Sequence, residues 1–265
     1  MRNPFDNEHG LRGPRLRNYA LHLGHRLGLR RWREALVEKG GLTLAVRAGT
    51  HDEIIAREVW DEAIYPLEGL GLGSGDLVVD VGAQIGSFTL LAAATGARVL
   101  AVEPSPLNVD RLRANVARNG FEGSVEVREA AIARPGSSEI ELHLTYTNLG
   151  GHSSIAWIGP TVRVAALSLA ELFEREGVER CRVLKLDVEG CECPILYSAA
   201  PALLERVDVI FAEVIDHPAT AVGRRDGEPP HDHAGLVAFL EGLGFVADWD
   251  PESQVVAARR PAPAV

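Results

Sequence analysis

Apolar and polar positions change period repeatedly along this chain, and the changes mark its elements. Residues 77–81, Leu-Val-Val-Asp-Val, are apolar but for one acid and predict a buried parallel strand, while the small and apolar residues 85–95 predict a helix. The same succession recurs downstream. Residues 99–102 predict a strand, and Ser105-Pro106 starts a helix with serine as N-cap and proline in the first turn, covering 107–118 and stopping at Asn119-Gly120. Residues 125–128 predict a third strand ending near Ala130-Ala131, and Ile140, Leu142 and Leu144 alternate with polar residues as a half-exposed strand would. Residues 162–165 read as a strand before the capping box Ser168-Leu169-Ala170-Glu171, which opens a helix to about Glu176. Two more buried strands, 183–187 and 207–213, flank a short helix begun by Pro194. A helix from about Gly235 to Leu243 then leads into strands at 245–247 and 255–258, which the turn-like Asp248-Trp249-Asp250-Pro251 joins into an antiparallel hairpin.

Upstream the pattern is thinner. Residues 1–14 are polar and punctuated by glycine and proline, so they are expected to be poorly ordered. Leu16, Ala20, Leu23 and Leu27 recur at helical spacing among arginines, which reads as a helix packed on the domain with a solvated basic face; docking to a partner or a membrane surface is the other reading. Residues 42–46 predict a short strand. Thr50-His51-Asp52-Glu53 reads as a capping box, opening a helix to about Ile64 that buries Ile54, Ile55, Val59 and Ala63.

Strands alternating with helices, then a terminal hairpin, predict an α/β fold: a doubly wound, mostly parallel sheet with ligands at the carboxyl ends of its strands. The expected division is a basic helical extension over 1–46, one domain over 47–258 and a disordered tail over 259–265. A length of 265 residues with 46% hydrophobic content supports a single sizeable core. The net charge of −10 argues against nucleic acid and anionic membrane as partners. No apolar run is long enough to span a membrane and no secretory signal is visible, so a cytoplasmic protein is expected. Cys181, Cys191 and Cys193 lack the paired spacing of a zinc site and read as reduced and structural. Only two lysines, Lys39 and Lys185, stand among many arginines, a bias that points to a GC-rich bacterial genome.

The chemistry concentrates between the first strand and its helix. A strand that turns into a helix through Gly82 and Gly86 should leave backbone N–H groups facing one small space, suited to an anionic group of a nucleotide-like ligand, with glycine needed because a Cβ would hold that ligand away. About twenty residues on, Glu103 ends the next strand, where one carboxylate can accept from both hydroxyls of a ribose. The spacing Asp80-x-Gly82-x-Gln84-x-Gly86 is not the GxGxxG of NAD enzymes; it is closer to the D-x-G-x-G-x-G turn of S-adenosylmethionine (SAM) methyltransferases. Four acids, Asp80, Glu103, Asp187 and Glu213, fall at predicted carboxyl ends of strands. Lys185 interrupts an otherwise apolar strand and must be paired or neutralised there. Alternation puts it on the face of Asp187, so it pairs with Asp187 or Glu213, as a structural ion pair or as a catalytic lysine.

Taken in order, Asp80-Val81-Gly82-Ala83-Gln84-Ile85-Gly86, Glu103-Pro104, Leu184-Lys185-Leu186-Asp187-Val188-Glu189-Gly190-Cys191-Glu192 and Glu213 resemble the motifs of the FkbM-type methyltransferases. The similarity runs from about Arg47 to Ile215, includes Thr50-x-Asp52 and Tyr65, and is most specific in the K-x-D-x-E-G-x-E segment. Gln84 stands where the family more often has asparagine. The resemblance implies the class I methyltransferase (Rossmann-like) fold and O-methylation of a hydroxyl on a small natural product or sugar, with SAM as cofactor and S-adenosylhomocysteine as product. By position it places Asp80, Gly82, Ala83, Gln84 and Gly86 around the methionine part of SAM, Glu103 on the ribose, Ala131 at the adenine pocket and Asp187 nearest the methyl. Glu189, Glu192 and Glu213 would border the site, and residues 147–154 and 216–233 would form substrate-facing loops.

An alcohol must lose its proton as it is methylated, and Asp187, Glu213 or His217 is the candidate base, with Lys185 beside it. A divalent metal held by Asp187, Glu213, Asp216 and His217, with His231 and His233 nearby, is the rival device; no ligand spacing is diagnostic, and the base is preferred. Two other classes remain: a SAM-binding interaction protein without catalysis, and an NAD-type oxidoreductase.

Overall fold

The computed structural model describes residues 23–24, 32–144, 160–215 and 224–261. Seven strands form its central sheet: β3 (Leu77–Val81), β4 (Arg98–Glu103), β5 (Val125–Glu129), β9 (Cys181–Leu186), β10 (Val207–Glu213), β11 (Val246–Asp250) and β12 (Val255–Arg259). Their order is β11-β12-β10-β9-β3-β4-β5. Strands β10, β9, β3, β4 and β5 pair in parallel, and β12 inserts antiparallel between β10 and β11. The order reverses at β3, and the crevice at such a reversal is where open α/β sheets bind ligands. The terminal hairpin is as expected, except that β11 runs through Asp250 and the turn is residues 251–254.

Helices cover both faces. On one side β1 (Glu34–Lys39), β2 (Leu42–Arg47), α1 (Asp52–Trp60), α2 (Ser87–Ala94) and α3 (Pro106–Arg118) are built around a core holding Leu44, Trp60, Phe88, Leu112 and Phe211. On the other, α4 (Leu169–Arg175), α5 (Glu192–Ser198), α6 (Pro201–Leu204) and α7 (His233–Gly242) pack with Val79, Val81, Leu184 and Ile210. Alternation divides β3 accordingly: Val79 and Val81 face the second layer, and Val78 faces the first. A small separate sheet, β6 (Ala131–Ile132), β8 (Thr161–Leu167) and β7 (Glu139–His143), lies beyond β5, so Ile140 and Leu142 pack in a second sheet rather than on the edge of the first.

Several local expectations are revised. Residues 34–47 form the antiparallel hairpin β1–β2: β2 is the strand expected at 42–46, and β1 pairs with it within the stretch expected as a helical extension; the predicted basic helix, apart from Leu23 and Gly24, lies outside the described residues. The Thr50 capping box does not form. His51 occupies the cap of α1, and the Asp52 carboxylate turns back to accept from the Arg47 backbone N–H (2.9 Å) and side chain (2.7 Å). The helix ends at Trp60 rather than near Ile64, with Ala63 at φ +54, and its inner face is Ala56, Val59 and Trp60 while Ile54 is exposed. Ser105 caps α3 by position, without a side-chain hydrogen bond, whereas Ser168 and Glu171 complete the capping box of α4. Arg259 belongs to β12, and Arg260 donates to the carbonyls of Leu204, Val207 and Leu243, so the tail expected from 259 is held to the core at least that far. Among the described residues no helix is long and apolar enough to cross a membrane, and the three cysteines form no disulfide.

Lys185 on β9 lies in register with Asp80 on β3, and both are buried. Its Nζ donates to the Gly82 carbonyl (2.8 Å) and lies 3.2 Å from Asp80 Oδ1 and 3.3 Å from Asp187 Oδ2. Removing one member of a buried ion pair leaves the other charge uncompensated, at a cost of about 3 to 5 kcal/mol. Lys185→Met is therefore expected to lower the denaturation free energy by about that amount, measured by urea unfolding at neutral pH. A loss below about 1 kcal/mol would show that the three oxygens around Nζ do not need its charge.

Candidate functional site

A cavity of about 290 Å³ opens at the carboxyl ends of β3, β4, β9 and β10. Val81, Gly82, Gln84 and Glu103 line it from the glycine turn and the end of β4; Ala130, Ala131 and Ile132 line it from the crossing between sheets. His51, Ile54, Ile55 and Glu58 reach it from α1, Ile140 and Leu142 from β7, and Tyr65, Asp187, Glu189 and Glu213 complete its wall.

The glycine turn is shaped by the protein itself. Gly82 has φ +80, and a Cβ there would stand 1.8 Å from the carbonyl oxygen of Asp187, so the residue must be glycine for β9 to lie beside β3. That differs from the expected reason, clearance for a ligand. The amides of the turn are also occupied: Gly82 and Ala83 donate to the Val102 carbonyl, Gly86 to Ala83, and Gln84 to Glu103 Oε2 (2.9 Å), while Ile85 donates to the Gln84 side chain (3.0 Å). No row of amides is left for an anion. Gln84 carries φ +50, unfavourable for an L-residue, and its two side-chain hydrogen bonds, to Ile85 and to Asp52 (2.8 Å), hold it there.

Glu103 is buried, with Oε1 accepting from the Ser105 amide (2.9 Å) and Asn108 Nδ2 (3.2 Å) and Oε2 from Gln84. Burial pushes its carboxyl up while these donors oppose the rise. At the other wall Asp187 Oδ2 accepts from the Tyr65 hydroxyl (3.1 Å) and faces Lys185. Burial alone would raise the Asp187 carboxyl, but the Lys185 charge and the hydrogen bonds of Glu213 and Tyr65 hold it below the usual range. Glu213 moves the opposite way, well above that range, through burial and then the repulsion of Asp187. Two facing carboxyls in one buried site share a proton, and here Glu213 is the neutral member. Burial, with the charges of Asp187 and Glu192, pushes Glu189 up to about 8, at a residue whose backbone has φ +58. Burial pushes Glu192 up to about 7, though the amides of Val188 and Gly190 bind it.

Of the residues singled out in the sequence, Gly82, Gln84, Glu103, Ala131, Asp187, Glu189 and Glu213 thus meet at one cavity. Asp80 does not line it: it is fully buried beneath the turn, bonded to Thr89 Oγ1 and paired with Lys185. Lys185 and Ala83 are likewise buried behind the wall, and Gly86 starts α2 at φ +100 against Leu112. Asp216 and His217 lie outside the described residues. His231 and His233 are placed elsewhere, His231 with Glu228 (3.3 Å) and His233 stacked on Trp249 (centroids 3.8 Å apart), so they add no imidazole here. The sequence reading did not anticipate Glu58 and the α1 wall, nor the role of Tyr65. Nor did it anticipate that Asp52 reaches Gln84. An arginine ending a strand five residues before an acid was the available signal, and the cap reading absorbed it.

The profile of the Methyltransferase FkbM domain matches residues 80–247, from the turn to the hairpin. The 31-O-demethyl-FK506 methyltransferase FkbM of Streptomyces tacrolimicus is 31% identical over 86% of this chain and 98% of its own length. Methyltransferase sdnD of Sordaria araneosa is 26% identical over 85% of this chain and 96% of its own. A crystal structure of methyltransferase FkbM from Methylobacillus flagellatus KT superposes on 73% of this chain and 46% of that one, at 13% identity and a TM-score of 0.47. With its motifs gathered at the carboxyl edge of a doubly wound sheet, the chain belongs to the FkbM methyltransferase family.

Proposed function

We propose that the protein is a SAM-dependent O-methyltransferase acting on a hydroxyl of a small natural product or a sugar. The observation that carries the cofactor assignment is the acidic lining of the cavity, in which Asp187 is held ionised. Five carboxyl groups line it, Glu58, Glu103, Asp187, Glu189 and Glu213, and no lysine or arginine does among the described residues. Such a wall favours a cationic sulfonium and repels the pyrophosphate of a dinucleotide, whose usual binding amides are already taken within the turn. Glu103 would hold the ribose, and the small side chains Ala130 and Ala131 leave room for a base beside Ile132. The acceptor is read as a hydroxyl because Asp187 offers a carboxylate for its proton, and the name of the Streptomyces relative, 31-O-demethyl-FK506 methyltransferase, supports this.

When bound, the cofactor supplies a methyl group activated by positive charge. The protein's part is to fix the acceptor and take its proton. Holding a nucleophile in line can supply roughly 7 to 11 kcal/mol of the barrier. Ile54, Ile55, Ile140 and Leu142 provide an apolar wall for the acceptor's body, and Tyr65 fixes the rotamer of Asp187 through its hydroxyl. Asp187, kept ionised by Lys185, accepts the hydroxyl's proton, and the neutral Glu213 beside it can pass a proton onward. Glu189 and Glu192 adjoin Asp187 along the chain, and because burial raises both carboxyls the charge held ionised here is that of Asp187.

Titration calorimetry with S-adenosylhomocysteine and with NAD tests the cofactor. Binding of the first and not of the second is expected, and Glu103→Ala should weaken it by roughly 1.5 to 3 kcal/mol, for the one charge-assisted bond the carboxylate has room to accept. Unchanged affinity in the folded variant would remove Glu103 from the cofactor site. Asp187→Asn should keep that affinity while slowing single-turnover methyl transfer to a hydroxyl acceptor by about 10² to 10³. Full turnover in this variant would send the proton elsewhere, whereas absence of transfer in the unaltered protein across a panel of hydroxylated acceptors would favour a binding protein. Treatment with EDTA should leave turnover within about twofold, because a carboxylate base needs no ion. Loss restored by magnesium or manganese would instead make Asp187 and Glu213 metal ligands.

A further inference from the structure

Five residues from separated positions close a hydrogen-bonded ring beside the cavity, through their side chains and the backbone N–H of Gln84. Arg47, the last residue of β2, donates to Asp52 through Nε (2.7 Å) and Nη2 (2.9 Å), and Nη2 also reaches Asn108 Oδ1 (2.8 Å). Asn108 Nδ2 donates to Glu103 Oε1 (3.2 Å), the Gln84 amide to Glu103 Oε2 (2.9 Å), and Gln84 Nε2 returns to Asp52 Oδ1 (2.8 Å). None of the five is more than 8% exposed, yet only Gln84 and Glu103 touch the cavity.

A buried ion pair gives no net gain over apolar packing of the same volume, so a ring of this kind is better understood by what it orients. The group at its cavity edge is Glu103. We infer that Arg47, Asp52 and Asn108 are positioning residues that hold the Glu103 carboxylate in one orientation and ionised, ready to accept a ribose hydroxyl. This rests on the cofactor assignment above. Three donors occupy about three of the roughly four acceptor sites of the carboxylate and leave one on Oε2. Lys185 favours the ionised form from below, and the Arg47–Asp52 pair reaches Glu103 only through Asn108 and Gln84. Gln84 closes the ring. Asparagine is one methylene shorter and from the same backbone would not span to Asp52. Because Asp52 is also the first residue of α1, which presents Ile55 and Glu58 to the cavity, the ring sets the cofactor carboxylate and the acceptor wall in one frame.

Titration of the full-length protein with S-adenosylhomocysteine across about pH 5 to 9, alongside urea denaturation, tests this. Asn108→Ala removes a donor from Glu103 and an acceptor from Arg47, and about tenfold weaker binding near neutral pH is expected. The acid-side loss of affinity should also move to higher pH, since Glu103 without that donor keeps its proton more readily. A purely structural role would not move this limb, and Glu103→Gln, which cannot ionise, should lack it. Gln84→Asn, which keeps the backbone donor, should shift affinity and pH limb the same way by a smaller factor. Unchanged affinity with an unshifted limb in folded Asn108→Ala would overturn the inference, and Gln84→Asn decides by the same criterion if Asn108→Ala does not fold. Failure of the unaltered protein to bind S-adenosylhomocysteine at all would instead overturn the cofactor assignment.

Discussion

The structure turns on one buried ammonium. Lys185 takes Asp80, Asp187 and the Gly82 carbonyl at once, and these belong to two neighbouring strands and to the turn that leaves the first of them. Without that charge Asp80, which is wholly buried, would have a single hydrogen bond from Thr89 to offset its desolvation. With it, the carboxyl ends of β3 and β9 are tied together. The Gly82–Asp187 approach, too close for any Cβ, becomes the tight seam from which the cavity opens.

The same ammonium sorts the acids by role. Asp187, near Lys185 and bonded by Tyr65, stays ionised despite burial; Glu213, beside Asp187 and without an equivalent cation, retains a proton. A pair of like groups driven in opposite directions is the arrangement expected where a proton must be received at neutral pH. Glu189 and Glu192 are both raised by burial, so the carboxyls around Asp187 are not all charged together at neutral pH.

On the opposite wall one glutamine sets the wiring. Gln84, at a position where a left-handed backbone would suit glycine or asparagine, is held by hydrogen bonds at both the oxygen and the nitrogen of its side-chain amide, and one of them connects the turn to α1. The glycine-turn edge and the α1 edge of the cavity are thereby parts of one network rather than two surfaces facing across a gap.

Much of this was legible in the order of residues. Alternating apolar strands and helices, the Gly82–Gly86 turn, Glu103 one strand later and the Lys185–Asp187 spacing determined a doubly wound sheet with acids at its carboxyl edge, because local period and turn chemistry are encoded in neighbours. Sequence could also say that Lys185 needed a partner, but not which one: alternation placed Asp187 on its face, while Asp80, over a hundred positions earlier, met it only through the register of β3 on β9. The small sheet carrying Ile140 and Leu142 was hidden because a half-exposed strand reads the same on the edge of a large sheet as in a separate one. Asp52 read as part of a local cap because a cap is the nearest use for an acid at a helix start. Only packing of β2 and α1 against α3 and the turn brought Arg47, Asn108 and Gln84 within reach of it, and contacts between residues distant in the chain are set by tertiary structure, not by local pattern.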